Sequence, residues 1–185
     1  MAVALIAADA LEIGEALGGV AGGDAKCAAR AAAAGLLLRL QCKPLLGLQP
    51  LRVVVARPRP GAPPLLLGEL KGWALPLPDA LQLDTMRVQG EQTQLVGPLI
   101  WCATFAWALE ATPCRRARLL AIRDNDSQHR RLVRYFRRLG FEPTRELGAA
   151  ALDLPLRLVW GGSGLLMRGD CTTGLERAWR QLQRP

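Results

Sequence analysis

The chain has 185 residues, half of them hydrophobic, which predicts a single domain over residues 1–185 with a sizeable core and argues against a disordered chain. Its five cysteines form no Cys-x-x-Cys and it has one histidine, which argues against a structural zinc site or a disulfide framework and predicts reduced thiols in the cytoplasm. The net charge of +8, carried mostly by arginine, suits phosphates of nucleic acids, anionic lipids or nucleotide cofactors alike.

The N-terminal part gives the weakest pattern. Carboxylates at Asp9, Glu12 and Glu15 interrupt the early apolar run, and no basic residue precedes them, which argues against a secretory signal peptide. We expect a strand at residues 3–7 followed by a short helix, then an Ala- and Leu-rich helix over residues 25–40.

Three strands are predicted next. Residues 51–56 and 65–73 flank a segment rich in Pro, Gly and Arg, which is typical of an antiparallel hairpin. Residues 81–88 follow as a further strand, although polar residues fall on both of its faces and the alternation is imperfect.

A helix is predicted after this strand, ending at about Ala111. Pro98 suits its first turn, where a missing N–H costs nothing. Its apolar run, residues 95–109, is 15 residues long, which is short for a membrane span and long enough for a buried helix. We predict no membrane span. A protein that associates with a membrane through this segment is kept as a third hypothesis, after the two that are stated at the end of this section.

The C-terminal part predicts four further elements. A short buried strand covers residues 118–123, and a helix with several possible Asp, Asn or Ser caps follows to Leu139, where Gly140 suits its end. Residues 157–160 and 165–168 flank a Gly-rich turn and suggest a hairpin. Residues 172–183 predict a terminal helix.

The helix that ends at Leu139 has two contrasting faces. An apolar stripe at helical spacing predicts the side that packs on the core. Five arginines lie largely opposite, and they fit a solvated basic face, a contact with a cofactor phosphate or an acidic substrate, or nucleic-acid backbone binding. These are Arg130, Arg131, Arg134, Arg137 and Arg138.

The order of elements from Met86 to the Leu-Gly-Phe-Glu of residues 139–142 resembles the acyl-CoA-binding half of the GNAT superfamily, acyltransferases that move an acyl group from coenzyme A to an amine. The resemblance is best supported over residues 51–168. It implies an α+β fold, with a mixed, strongly twisted sheet of about six or seven strands flanked by helices. Its fourth and fifth strands would splay apart and admit the acyl-CoA.

The phosphate-binding loop of that family has Gln or Arg, two residues, Gly, one residue, then Gly or Ala. Gln94 and Gly97 match this spacing, while Leu99 stands where a small residue is expected. An ordinary strand-to-helix turn explains the same residues. If the resemblance holds, the pyrophosphate lies at the helix N-terminus and the pantetheine arm pairs with the strand backbone. The implied cofactor contacts here are Met86, Val88, Gln94, Leu95, Val96, Gly97 and Leu99.

The strand–helix signature of the family carries an Asn and a Tyr. These positions fall on His129 and Phe136, which the resemblance implies as further cofactor contacts. The family's Tyr often protonates the departing thiolate, which Phe136 cannot do. Tyr135 is our candidate acid, although adjacent helix residues point about 100° apart, and a half-buried aromatic with its hydroxyl in water is the alternative. His129 also fits a surface or capping position.

Amine acylation needs a base, and a partly buried carboxylate has a raised pKa suited to that task. Asp84 is our candidate because the matching strand lines the acceptor site in the family, and pairing with an Arg is its alternative role. Glu69 and Glu91 are the other carboxylates near the predicted cleft.

The resemblance implies an N-acyltransferase that uses acetyl-CoA or another acyl-CoA and needs no metal. An amine borne by a small molecule or a protein would attack the thioester directly. The alternative is a catalytically impaired GNAT-like binding protein whose Arg-rich helix contacts an acidic partner or nucleic acid.

Overall fold

The computed structural model describes residues 22–148 and 150–184, and within them the chain forms an α+β fold of seven strands and five helices. The strands are β1 (Leu37–Cys42), β2 (Gln49–Arg59), β3 (Ala62–Ala74), β4 (Leu81–Val88), β5 (Arg116–Ile122), β6 (Phe141–Leu147) and β7 (Gly164–Asp170). The helices are α1 (Gly22–Ala33), α2 (Val96–Ala111), α3 (Asp126–Arg138), α4 (Leu154–Trp160) and α5 (Cys171–Leu182). The strand and short helix predicted near the N-terminus lie outside the described residues.

The strands form one sheet in the order β1-β2-β3-β4-β5-β7-β6. The paired neighbours are antiparallel except for β4 and β5, which are parallel. The sheet is therefore mixed, and the strand order is GNAT-like. The α+β class and the strand number predicted from the resemblance are confirmed.

Several local predictions are confirmed with small shifts at their ends. The hairpin is formed by β2 and β3, which pair through Arg59 and Ala62 and leave a tight turn at Gly61 with φ +68°. The helix starting near Pro98 is α2, and the terminal helix is α5. Gly140 follows α3 with φ +98°, the left-handed conformation that favours glycine at a helix end.

The predicted helix over residues 25–40 is wrong at its C-terminal end. Helix α1 stops at Ala33, and Gly35 has φ +69°, which turns the chain out of the helix. Leu38, Leu40 and Cys42 then pack against the core as alternate residues of β1. Tertiary pairing with β2 outweighs the helical propensity of this Leu-rich segment.

The predicted second hairpin is also wrong. Residues 157–160 belong to α4, which has a Pro in its first turn and ends at Gly161 with φ +73°. The strand that pairs with β7 is instead β6, which directly follows Gly140 and was not predicted. Its burial pattern explains the omission, because the five residues between buried Phe141 and Leu147 are all exposed and give no apolar alternation.

Helix α2 is buried on every side. Its residues from Val96 to Ala108 are buried, with the sheet on one side and α1 and α5 against the others. Two glycines permit this close packing, because a Cβ would lie 2.5 Å from Val96 Cγ1 if placed at Gly68, and 2.6 Å from Phe105 Cε2 if placed at Gly174. A helix that is apolar all round is expected in such a position.

The long apolar run of α2 raised the possibility of membrane association. Among residues 22–148 and 150–184, no helix combines the length and the apolar character that crossing a membrane requires.

Candidate functional site

A gap opens between β4 and β5. The two strands pair only where residues 81–83 of β4 lie beside residues 117–119 of β5. Beyond this point β4 continues along β3, with Met86 opposite Leu70 and Val88 opposite Gly68. The edge of β4 that faces β5 is therefore unpaired, within the described chain, along the second half of the strand.

A β-bulge at Asp84 determines which side chains of β4 face the helices. Lys71 of β3 pairs with Thr85, and the next residue, Gly72, pairs with Leu83, so Asp84 is the extra residue. Alternation on β4 shifts by one residue at a bulge. Met86 consequently shares the core face with Leu83, although three positions separate them.

A cleft of about 370 Å³ lies at the open end of this gap. It is bounded by β4, by the turn before α2, by the first turn of α2, and by side chains of α3 and α5. Its lining residues are Met86, Val88, Thr93, Gln94, Gly97, Pro98, Leu132, Tyr135, Phe136 and Gln181. Six of the eleven residues predicted for the site are therefore brought together here.

Gly97 lines the cleft between a residue of β4 and a residue of α3. A Cβ at this position would be 3.2 Å from the Tyr135 hydroxyl oxygen and 3.8 Å from Met86 Cε. A side chain would thus narrow the space between β4 and α3. The absence of a side chain at this position fits the close backbone approach that a phosphate or pantetheine ligand requires.

Leu95, Val96, Gly97 and Leu99 are the expected cofactor contacts at the start of α2, and their backbone N–H groups are not all available to a ligand. Val96 N–H donates to Thr93 O at 3.0 Å, and Leu99 N–H donates to Leu95 O at 2.9 Å. Both Val96 and Leu99 are fully buried in the core, so the structure does not bring them to the cleft. The N–H groups of Leu95 and Gly97 take no part in these bonds, and among the described residues no side-chain hydrogen bond caps the helix at Leu95.

Tyr135 and Phe136 both reach the cleft, but in different ways. Phe136 is mostly buried and packs edge-on against Trp101 and Phe141, with ring centroids 6.2 and 6.0 Å away. The Tyr135 hydroxyl accepts a hydrogen bond of 2.7 Å from Trp101 Nε1. Burial raises the pKa of Tyr135 above its usual value, and the Trp101 hydrogen bond acts in the opposite direction.

His129 lies outside the cleft. The residue is 8% exposed, and its Nδ1 lies 3.2 Å from Ile122 O. The surface position considered for His129 is therefore wrong. The capping role belongs to Asn125, whose side chain accepts a hydrogen bond from Ser127 N–H at 2.8 Å.

The three candidate carboxylates have different surroundings. Glu69 is held by Arg52 at 2.6 Å and by Lys71 at 3.6 Å, and Glu91 lies in the exposed turn before α2. Asp84 forms no salt bridge within the described chain and accepts a hydrogen bond of 2.9 Å from Gln82 Nε2. Although the residue is exposed, partial desolvation raises the pKa of its carboxyl, and the Gln82 hydrogen bond opposes this.

The arginines of α3 form an exposed basic face. All five side chains are exposed, and none takes part in a salt bridge with another described residue. Positive charge that no described carboxylate neutralises can attract an anionic ligand or solvent ions.

One solved structure that resembles the chain is the crystal structure of nourseothricin acetyltransferase, with a TM-score of 0.47 and 16% identity over 82% of this chain and 95% of that one. No family model matches the chain. A search of curated proteins likewise finds no match. The strand order, with parallel β4 and β5 that separate beyond Leu83, gives this chain a GNAT-like α+β fold.

Proposed function

We propose that this protein is an N-acyltransferase that moves an acyl group from an acyl-CoA, with acetyl-CoA as the simplest donor, to an amine. The observation that carries this proposal is the cleft at the gap between β4 and β5, where Gly97 and the Tyr135 hydroxyl face each other. The cleft joins the unpaired half of β4 to the first turn of α2, the two places where backbone groups are offered to a ligand.

Backbone groups would hold the acyl-CoA in two places. The unpaired edge of β4 at Met86 and Val88 offers N–H and C=O groups to the amides of a pantetheine arm, in the manner of an added strand. The N–H groups of Leu95 and Gly97 and the positive end of the α2 dipole suit its pyrophosphate. Gln94 borders the same turn. Val96 and Leu99 support this turn from the core, while Phe136 supplies an apolar wall.

Two side chains suit the proton transfers. Asp84 takes a proton from the acceptor ammonium, and the free amine attacks the thioester carbonyl. The carbon–sulfur bond breaks with its electron pair on sulfur, and the Tyr135 hydroxyl donates a proton to that sulfur. The nitrogen loses its second proton to solvent. The tyrosinate regains a proton from solvent and Asp84 releases its proton to solvent, so an amide and free CoA leave a regenerated protein and one proton is released per turnover.

Thermal-shift measurements with acyl-CoAs test the binding step before an acceptor is known. A ligand at 100 times its Kd stabilises the native state by about 2.7 kcal/mol, and we expect acetyl-CoA to raise the Tm measurably. Amines are then screened for release of CoA, measured by chromatography because the chain's own five thiols react with thiol reagents. A Tm that no acyl-CoA changes contradicts the proposal.

The exposed arginines of α3 support a second candidate, a GNAT-like binding protein that contacts nucleic acid or an acidic protein. Nucleic-acid retention that weakens steeply with salt, and that the triple substitution Arg130→Glu, Arg134→Glu, Arg137→Glu abolishes, would favour it. A matched triple substitution to Lys keeps the charge and should retain binding. Acyl-CoA binding without turnover by any amine would also favour this candidate.

A further inference from the structure

We propose that Trp101 is the positioning residue for Tyr135, because its indole N–H holds the phenolic oxygen and leaves the phenolic proton directed to the departing CoA sulfur. This inference rests on the proposed acyl transfer. It assigns a role to a residue of α2 that has no counterpart among the residues expected from the sequence.

The hydrogen bond has only one possible direction. An indole nitrogen donates and cannot accept, so the 2.7 Å contact makes the Tyr135 oxygen the acceptor. The hydroxyl therefore keeps its own proton for another acceptor, and no other described residue forms a hydrogen bond with it. Since the oxygen borders Gly97, that proton is available to a group in the cleft.

Trp101 is well fixed for this task. It lies four residues after Gly97 and hence on the same face of α2, and it is 1% exposed. Its ring stacks on Phe105 with centroids 5.6 Å apart and meets Phe141 at 6.0 Å. A buried indole N–H without an acceptor is costly, so the position of Trp101 also determines where the Tyr135 oxygen lies.

This arrangement accounts for the displacement of the tyrosine by one residue. At the position where the resemblance places a tyrosine, Phe136 packs its ring into the cluster around Trp101. Tyr135 approaches the same indole from the cleft side. When the hydroxyl gives its proton to sulfur, the developing phenolate accepts a stronger, charge-assisted bond from the Trp101 N–H. The donor thus favours the transfer without itself losing a proton.

The chain contains a single tyrosine, so the ultraviolet absorbance of tyrosinate reports on Tyr135 alone. Trp101→Phe removes a donor that stabilises the phenolate, and we expect the pKa of Tyr135 to rise. Trp107→Phe, another buried tryptophan of α2, is the matched control and should leave the titration unchanged. Equal titrations of Trp101→Phe and the wild type would overturn the inference.

Kinetics provide the second readout. We expect Trp101→Phe to lower kcat roughly tenfold with little change in KM for the acyl-CoA, a modest part of the effect of a full acid catalyst. The effect should disappear in a Tyr135→Phe background, because the indole acts only through the hydroxyl. A loss of similar size in both backgrounds would assign Trp101 a merely structural role and overturn the inference.

Two further measurements keep the test decisive. If Trp101→Phe does not fold, the indole N–H resonance of Trp101 in ¹⁵N-labelled wild-type protein should shift in Tyr135→Phe, and an unchanged resonance would contradict the hydrogen bond. If the wild type releases no CoA with any amine while Trp101→Phe still shifts the titration of Tyr135, the result counts against the acyltransferase function. A wild type that turns over while Trp101→Phe behaves like Trp107→Phe counts against Trp101 alone.

Discussion

Gly97 and Tyr135 face each other so closely that a Cβ added to the glycine would lie 3.2 Å from the phenolic oxygen. Within a helix, alanine is about 1 kcal/mol more favourable than glycine. The added methyl group narrows the cleft and requires the phenolic oxygen to shift by a few tenths of an ångström. This contact opposes the gain in helix propensity, so Gly97→Ala should change the Tm little. We expect the Kd for acetyl-CoA, measured by calorimetry, to rise about tenfold, which corresponds to about 1.4 kcal/mol.

Gly148→Ala is the matched control for this substitution. A Cβ there meets only Asp153 Oδ2, at 3.8 Å, and Gly148 is not among the lining residues of the cleft. Its Kd should equal that of the wild type. An unchanged Kd in Gly97→Ala would mean that the acyl-CoA does not pass between Gly97 and Tyr135.

Gly174 has a structural role. Its replacement should lower the stability of the protein, whereas replacement of Gly97 should mainly weaken acetyl-CoA binding. A Cβ would lie 2.6 and 2.8 Å from two ring carbons of Phe105, so α5 cannot stay at its present distance from α2. Overpacking of this kind costs about 1–3 kcal/mol, and we expect Gly174→Ala to lower the free energy of unfolding in urea by that amount. Glu176→Ala, on the exposed side of α5, should change it by less than about 0.5 kcal/mol.

The faces of β4 could not be assigned from the sequence because alternation assumes an unbroken strand. Leu81 and Leu83 predict one face, and by strict alternation Met86 would lie on the other. The bulge at Asp84 returns Met86 to the face of Leu83. A bulge depends on the register with β3, where Gly72 approaches the Gln82 carbonyl too closely for any side chain, and one strand alone does not encode that register.

The central elements were predictable because their signals are local. Pro98 and Pro113 bound α2, and the Asn and Gly residues around α3 are strong caps. Gln181 was missed because it enters the cleft from α5, about 50 residues beyond the part of α3 that it faces. A tertiary contact over such a distance leaves no periodicity or spacing in the sequence.

Leu99 departs from the small residue expected in the phosphate loop, and the structure assigns it to the core. It is fully buried, and its N–H already donates to Leu95 O. Leu99→Ala should create a cavity and reduce the free energy of unfolding by about 2–5 kcal/mol. We expect no gain in acetyl-CoA affinity, measured at a temperature where both proteins are folded.

The volume of the side chain at position 99 tests whether this residue belongs to the core or to the phosphate site. If Leu99→Ala binds acetyl-CoA more tightly than the wild type, Leu99 obstructs the phosphate site, and the amide geometry described above is incorrect. Leu99→Met, which keeps the volume nearly constant, should cost less than about 1.5 kcal/mol and serves as the comparison.

Asp84 should determine the acidic side of the pH–rate profile. Desolvation raises the pKa of its carboxyl, so the deprotonated base forms at a higher pH than for an ordinary aspartate, and kcat/KM should rise with pH through that value. Asp84→Asn should abolish this rise and lower kcat/KM about 100-fold, the lower end of the range for a general base. Glu91→Gln, which removes a carboxylate from the exposed turn nearby, should preserve the profile.

Stability gives an independent check on Asp84, because a raised pKa means that the folded protein disfavours the ionised form. The contribution of the carboxyl to stability is then fully present below the unfolded-state pKa and is lost as the pH rises through the folded-state pKa. Asp84→Asn carries no such charge, so at neutral pH its free energy of unfolding should equal or exceed that of the wild type. Urea unfolding at acidic and neutral pH measures the difference. A variant that is less stable than the wild type only at neutral pH would show that ionised Asp84 is stabilised in the native state, which contradicts its assignment as a poised base.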